Sequence, residues 1–103
     1  MTMRTVVRSD SFDATASQLF QGDIRQADSA LNAFEYELSR KDDFSFYPLV
    51  VVSDRWGRVY ARKIVQFGRS LVLLFSPFES HEIIFHTIYE GDPIEAPTMF
   101  PHG

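Results

Sequence analysis

The stretch from Arg58 to Glu90 constrains the fold more than any other part of the chain. It contains three runs of apolar, β-branched and aromatic residues, separated by short connections rich in turn residues, a spacing typical of an antiparallel β-meander. Gly68 suits a tight turn between the first two runs. We expect Pro77 to end the second run, because proline has no N–H to donate. The three predicted strands are Arg58–Gln66, Leu71–Ser76 and Ile83–Glu90.

Two further strands are predicted, one near the start of the chain and one shortly before the meander. Arg4–Ser9 predicts a short edge strand, whose arginines would discourage pairing with other molecules. Leu49–Val52 is an unbroken apolar and β-branched run, which predicts a strand buried on both faces. Pro48 is expected at the start of that strand.

The first strand of the meander alternates in character, so its two faces can be separated. Val59 and Phe67 belong to a mostly apolar face, whereas Tyr60 and Arg62 belong to the other. We expect the Val59 face to pack against the helices and the other face to be partly open. Trp56, in the preceding turn, is expected to fold back onto the edge of the core.

The region between the first two strands is predicted to be helical. Gly22 interrupts it, and Asp23 followed by Gln26 resembles a capping box. The pattern predicts two helices, over about residues 13–21 and 24–40, or one helix kinked at Gly22. An apolar stripe at helical spacing is expected to pack on the sheet. The stripe consists of Phe20, Ile24, Ala27, Leu31, Phe34 and Leu38.

Composition limits the classes of function. The 103 residues include no cysteine, so a disulfide framework, a thiolate nucleophile and a thiolate metal site are excluded. The apolar runs are shorter than a membrane span, and the start of the chain lacks the apolar core of a signal peptide, so we expect a cytoplasmic protein without membrane contact. A formal net charge of −4 disfavours nucleic acid as a partner.

The chain is expected to form one α+β domain over residues 1–90, followed by an extended tail rich in proline and glycine over residues 91–103. Ile94, Met99 and Phe100 are the side chains that could dock this tail onto its own domain or onto a neighbour.

Catalytic motifs of high specificity are missing from the sequence. No serine lies in a nucleophile elbow, and no glycine-rich phosphate loop occurs. His81 and His86 are five residues apart and do not form a zinc motif, so neither a metal nor another cofactor is expected.

Positive charge is concentrated in the first strand of the meander and the turn after it. These cations are either solvated strand positions or a face for phosphate or an acidic partner, and His81 is the candidate general base if RNA is cleaved. The candidate target-contact residues are Arg58, Arg62, Lys63, Arg69 and His81.

The order of these elements resembles that of the RelE/ParE-like toxin family of toxin–antitoxin systems. The segments that carry the resemblance are RTVVRSDSFDATASQLF, ADSALNAFEYELSRKDDF, GRVYARKI, GRSLVLLF and HEIIFHTIYEG. The resemblance implies a strand, a helical hairpin or kinked helix, and an antiparallel β-meander. It also implies a toxin-type protein that binds an antitoxin and a cellular target. A cystatin-like sheet around one helix has the same order and stays a fold alternative.

The chain departs from the ribosome-dependent ribonucleases of this family where they carry their chemistry. Ser70 falls where an arginine is common, and Glu90-Gly91-Asp92 ends the last strand, where basic residues are expected. No tyrosine follows Tyr89. An enzymatic activity therefore stays open. A toxin that acts through protein binding is the first hypothesis, a non-catalytic phage or plasmid accessory protein the second, and an mRNA-cleaving enzyme the third.

Overall fold

The computed structural model describes residues 3–66 and 68–100 and has an α+β architecture. A five-stranded mixed sheet carries two helices on one face and a short C-terminal segment on the other. The strands are β1 Thr5–Arg8, β2 Leu49–Ser53, β3 Gly57–Gln66, β4 Arg69–Phe78 and β5 Glu82–Glu90. The helices are α1 Asp10–Phe20, α2 Ile24–Leu38 and α3 Ala96–Met99, which follows a 3₁₀ turn at Pro93–Glu95. The predictions for Phe67, for the side chain of Ile24 and for residues 101–103 concern positions outside the described structure.

The sheet has the strand order β1-β5-β4-β3-β2. β3 to β5 form the antiparallel meander that the sequence predicts, β2 extends it by pairing antiparallel with β3, and β1 adds to it in parallel with β5. Gly68 in the β3–β4 turn has a φ of 71°, a conformation that residues with a Cβ adopt only at a cost. β1 lies at the sheet edge, as its arginines predict.

Two separate helices form rather than one kinked helix. α1 begins after Ser9, whose Oγ accepts a hydrogen bond from a backbone N–H of the first turn. It ends where Gln21 and Gly22 adopt positive φ values of 48° and 81°. Asp23 then caps α2 by accepting a hydrogen bond of 3.1 Å from the Gln26 N–H, as the capping pattern predicts.

The apolar stripe of α2 packs on the sheet, which confirms its predicted role. Leu31, Phe34 and Leu38 are all buried in one cluster with β3, β4 and β5. Phe12 of α1 joins this cluster, and its ring centroid lies 5.4 Å from that of Phe85 in β5. The helices and the sheet therefore share a continuous, largely aromatic core.

The helices cover the opposite face of β3 from the one predicted. Tyr60 and Ile64 lie in the core beneath the helices, whereas Val59 and Ala61 belong to a second apolar cluster on the other face. The prediction was wrong because every residue of Leu71–Ser76 in β4 is buried, so both faces of the sheet are apolar. Alternation in β3 separates the two faces but does not say which one the helices cover.

β2 is an edge strand, not the strand buried on both faces that its apolar run predicts. Leu49 is 50% exposed and Val52 is 64% exposed. β2 has a strand neighbour on one side only, and the helical core lies over the central strands. β-branched and apolar residues suit any half-covered pleated surface, so composition alone did not distinguish an edge from a centre.

Pro77 lies within β4 rather than after its end. β4 continues to Phe78, and Pro77 lies opposite Ile83 of β5. The ladder between β3 and β4 ends at the Tyr60–Phe75 pair, before Pro77 is reached. Because no β3 carbonyl faces the missing N–H, proline is tolerated there.

The C-terminal segment covers the second face of the sheet. Residues 93–99, which the sequence predicts to be extended, instead form the 3₁₀ turn and α3. Ala96 is fully buried and Phe100 packs on the second cluster, which confirms the docking predicted for Phe100. Ile94 and Met99 are exposed and do not dock in this way.

Replacing Phe34 with alanine should lower the free energy of unfolding by about 3–5 kcal/mol, because the change leaves a cavity in the core between α2 and the sheet. Tyr36→Ala is the matched control, since Tyr36 lies on the same helix and is 67% exposed. It should change stability by less than about 1 kcal/mol. Urea unfolding measures both changes, and equal losses in the two variants would contradict this packing of α2.

Candidate functional site

The five residues predicted for target contact are spread along the sheet and do not form one patch. Arg58 lies near the start of β3, and Arg69 pairs with Gln66 at the other end of that strand. Eight strand steps separate these ends, which corresponds to roughly 26 Å. His81 lies in the exposed turn before β5, with its Nε2 3.9 Å from a carboxylate oxygen of Glu79.

Arg69 is occupied by contacts within the fold. Its guanidinium donates to the carboxylate of Glu90 at 3.1 Å and to the carbonyl oxygen of Leu19 at 2.8 Å. It also lies 5.6 Å from the centroid of the Phe20 ring. These contacts tie the end of α1 to the sheet, so this cation has a structural role.

Arg62 anchors a polar network between β3 and α2. Its Nε donates to Glu37 Oε2 at 2.7 Å, and its Nη2 donates to Glu37 Oε1 at 3.0 Å. The Tyr47 hydroxyl donates to Glu37 Oε2 at 2.5 Å. The third nitrogen of Arg62 donates to the Lys63 carbonyl. A two-pronged ion pair of this kind fixes the orientation of both side chains.

The network sets the protonation states of its members. The hydrogen bonds from Arg62 hold the pKa of Glu37 below its ordinary value, although partial burial opposes this effect. Burial and the adjacent Glu37 carboxylate raise the pKa of Tyr47 well above its ordinary value. At neutral pH the network is therefore a guanidinium, a carboxylate and a neutral phenol, none of which is poised as a general base.

A groove opens beside this network along the outer edge of β3. Its volume is about 510 Å³. β2 covers β3 only as far as Tyr60, and the Ala61 N–H then donates to the Pro48 carbonyl at 3.0 Å. We call the space beyond this point the edge groove. It is lined by Glu37, Lys41, Phe46, Tyr47, Pro48, Ala61, Arg62, Lys63 and Pro93.

The β3 backbone has no strand partner along the edge groove within the described part of the chain. Ser70 lies opposite Val65 in the β3–β4 ladder. Its backbone faces β5 rather than Val65, because the Ser70 carbonyl accepts a hydrogen bond from the Gly91 N–H. In an antiparallel ladder this leaves the N–H and C=O of Val65 pointing outward. The carbonyl of Lys63 also faces outward, since the Arg62 guanidinium reaches it.

The edge groove carries more positive than negative charge. The charge of Arg62 is balanced by Glu37, whereas Lys41 and Lys63 flank the groove. Lys63 Nζ lies 3.8 Å from a carboxylate oxygen of Asp92, whose side chain is 63% exposed. The structure thus brings together Arg62 and Lys63 of the predicted residues, which lie on opposite faces of β3 but meet at its open edge.

His86 is the polar residue whose environment the sequence did not reveal. It is 3% exposed, and its Nε2 lies 2.7 Å from the Ser76 hydroxyl oxygen. Its ring packs against Trp56 at 5.3 Å and Phe100 at 5.2 Å between centroids. Trp56 also contacts Phe78, which confirms that it folds back onto the core edge. No local pattern signals this cluster, because its members come from four separate segments.

The Ser76–His86 pair is structural rather than catalytic. Burial lowers the pKa of His86 to about 4, so the ring is neutral near pH 7. Trp56 and Phe100 cover the ring. Among the described residues, no carboxylate is hydrogen-bonded to it, so nothing orients the imidazole as a base for the hydroxyl.

Comparison of the chain with protein-family models, curated proteins and solved structures finds no match. The resemblance to the RelE/ParE-like toxins therefore stays a prediction. Across the described residues, no helix is long and apolar enough to cross a membrane, and no group of three or more potential metal-binding side chains occurs.

Acid should destabilise the fold through His86. The pKa of this residue is about 4 in the folded protein and about 6.5 in the unfolded chain, so between these values only the unfolded chain binds the proton. Stability that is present above pH 6.5 is lost as the pH falls toward 4. From about pH 7 to about pH 5 the free energy of unfolding in urea should drop by about 2 kcal/mol.

The double variant Ser76→Ala/His86→Leu should flatten this pH dependence, because it removes the ring and its hydroxyl partner together and leaves neither alone in the core. His81→Leu is the control, since His81 is exposed in a turn, and it should keep the wild-type profile. A wild-type stability that does not change over this pH range would contradict the assignment.

Proposed function

We propose that this protein is a non-catalytic protein-binding domain that takes an extended segment of a partner protein along the edge groove. The observation that carries the proposal is the open edge of β3 at Val65, whose backbone N–H and C=O point outward beside the aromatic-lined edge groove. An extended peptide can add a strand to such an edge. Main-chain hydrogen bonds then give affinity, and the flanking pockets give specificity.

The charges and aromatic residues of the groove favour an acidic segment that also carries an apolar side chain. Lys41 and Lys63 lie at the groove, and Lys63 already faces the carboxylate of Asp92. Phe46 is 89% exposed at the same groove and offers an apolar contact. A carboxylate of the partner would replace Asp92 next to Lys63, while an apolar side chain two positions away would meet the Phe46 face.

The polar residues of the chain support binding rather than catalysis. Glu37, Arg62 and Tyr47 are bound to one another, and His86 is buried. An RNA-cleaving surface needs free cations to hold phosphate, yet Arg62 is paired with Glu37 and Arg69 donates to Glu90. These pairings make the mRNA-cleaving hypothesis the weakest of the three.

A narrower form of the proposal is the toxin-type protein that the RelE/ParE resemblance implies. In that form the partners are an antitoxin and a cellular target, and the protein acts by holding the target rather than by chemistry. A phage or plasmid accessory protein would use the same groove without causing toxicity. The two forms differ in their effect on a cell, not in the geometry of the groove.

Val65→Pro should abolish the binding of extended peptides, because it removes the outward N–H while leaving the β3–β4 ladder intact. The probe is a display library of random peptides selected on the wild-type protein. Val65→Ala is the matched control, since it shortens the same side chain but keeps the N–H. Selected peptides should be rich in acidic residues and should bind the proline variant at least about tenfold more weakly than the alanine variant.

Equal binding to the proline and alanine variants would reject the edge groove as the docking site. A library that yields no binders to a folded wild-type protein would reject strand addition as the function. Far-ultraviolet circular dichroism of each variant shows whether the fold is retained.

Expression of the chain in bacteria should arrest growth if the toxin form of the proposal holds. Co-expression of a small reading frame next to its gene should then relieve the arrest. The measurement is the growth curve with each protein alone and with both together. Normal growth at high levels of folded protein would reject the toxin form and leave the accessory-protein form in place.

A further inference from the structure

The sheet edges of the described chain differ in how they are protected from pairing. The outer edge of β1 is short and carries Arg8, which is paired with Glu35. Beyond β1, the edge of β5 is covered by α1, where Thr15 Oγ1 accepts a hydrogen bond of 3.3 Å from the Ile88 N–H. The open edge of β3 carries Lys63. Charges and covering elements of this kind discourage edge-to-edge association.

β2 lacks such protection. Its five residues, Leu49–Ser53, carry no charge, and Leu49 and Val52 are largely exposed. Val52 lies opposite Arg58 in the β2–β3 ladder. The backbone groups of the even-numbered residues of β3 face β4, so those of Arg58 point away from β2. The N–H and C=O of Val52 therefore point away from β3, outward from the sheet edge. An uncharged, apolar strand with outward-facing backbone groups is a template for another strand.

We propose that a second copy of this chain pairs with this edge, β2 against β2, in antiparallel orientation about a two-fold axis. Because Leu49–Ser53 contains no charged residue, no register of this pairing places like charges opposite each other within the strand. The exposed aliphatic side chains Leu49 and Val52 would then be covered by the same residues of the other copy.

The symmetry of this pairing also limits its growth. Two five-stranded sheets would join into one sheet of ten strands, whose two outer edges are both β1. β1 is only four residues long and carries Arg8, so the assembly closes at two copies. Pairing of β2 with the β1 strand of another copy would instead place an uncharged edge against Arg8 and would propagate without closing.

Sedimentation equilibrium of the full chain tests this pairing. The wild-type protein should show a monomer–dimer equilibrium, and Val52→Lys should weaken the dimer at least about tenfold, because a lysine would be buried at the centre of the new strand pair. Val65→Lys is the matched control, since Val65 is also a strand valine and is 71% exposed, but lies on the open edge of β3. It should leave the dimer unchanged.

A wild-type protein that stays monomeric at the highest soluble concentration would overturn the proposal. So would a dimer that survives Val52→Lys, or one that is lost in Val65→Lys but kept in Val52→Lys, because the latter would place the contact on β3. Hydrogen exchange gives an independent readout of location. Protection of the peptide that contains Leu49–Ser53 should rise with protein concentration in the wild type and stay constant in Val52→Lys.

Discussion

The burial of β4 on both of its faces is the constraint on which the rest of the structure depends. From Leu71 to Ser76 every side chain is buried, and most of β5 is buried as well. A sheet that is apolar on both faces needs a cover on each face. The helix pair supplies one cover through an aromatic core, and the C-terminal segment supplies the other by means of Ala96 and Phe100. These covers are built from α1, α2 and residues 93–100, and they lie over the two faces of the sheet.

Because both covers lie over the faces of the sheet, parts of its edges stay open. α1 reaches the β5 edge and closes it with Thr15. α3 contacts β2 on the second face of the sheet, but no strand of the described chain pairs with the outer edge of β2 or with the second half of β3 on its outer side. β3 carries Lys63 there, and the Arg62 guanidinium covers one of its outward carbonyls. Polar side chains thus partly shield β3, whereas β2 presents only apolar and small residues. The two stretches of open edge are therefore suited to different occupants.

The sequence predicts the elements of this fold better than their placement. Periodicity is a local property, so the stripe of α2, the cap at Asp23 and the three strands of the meander were found near their true positions. The covered face of β3 could not be predicted, because a sheet that is apolar on both faces gives the same alternation either way. The prediction that Pro77 ends its strand was wrong for a related reason. Whether proline is tolerated inside β4 depends on where the neighbouring strand β3 stops pairing with it.

The charge pairing in the candidate site could not be predicted either, because sequence patterns describe only local neighbours. Arg62 and Arg69 are close in sequence to Arg58, but their partners, Glu37 and Glu90, come from distant segments, and pairing with them removes both cations from any common patch. Instead of a patch of positive charge, the structure shows an open sheet edge at β3. If two copies pair through β2, each ten-stranded sheet carries two edge grooves related by the two-fold axis. A partner with two acidic extended segments would then bind with an avidity that neither groove supplies alone, because the second contact becomes intramolecular.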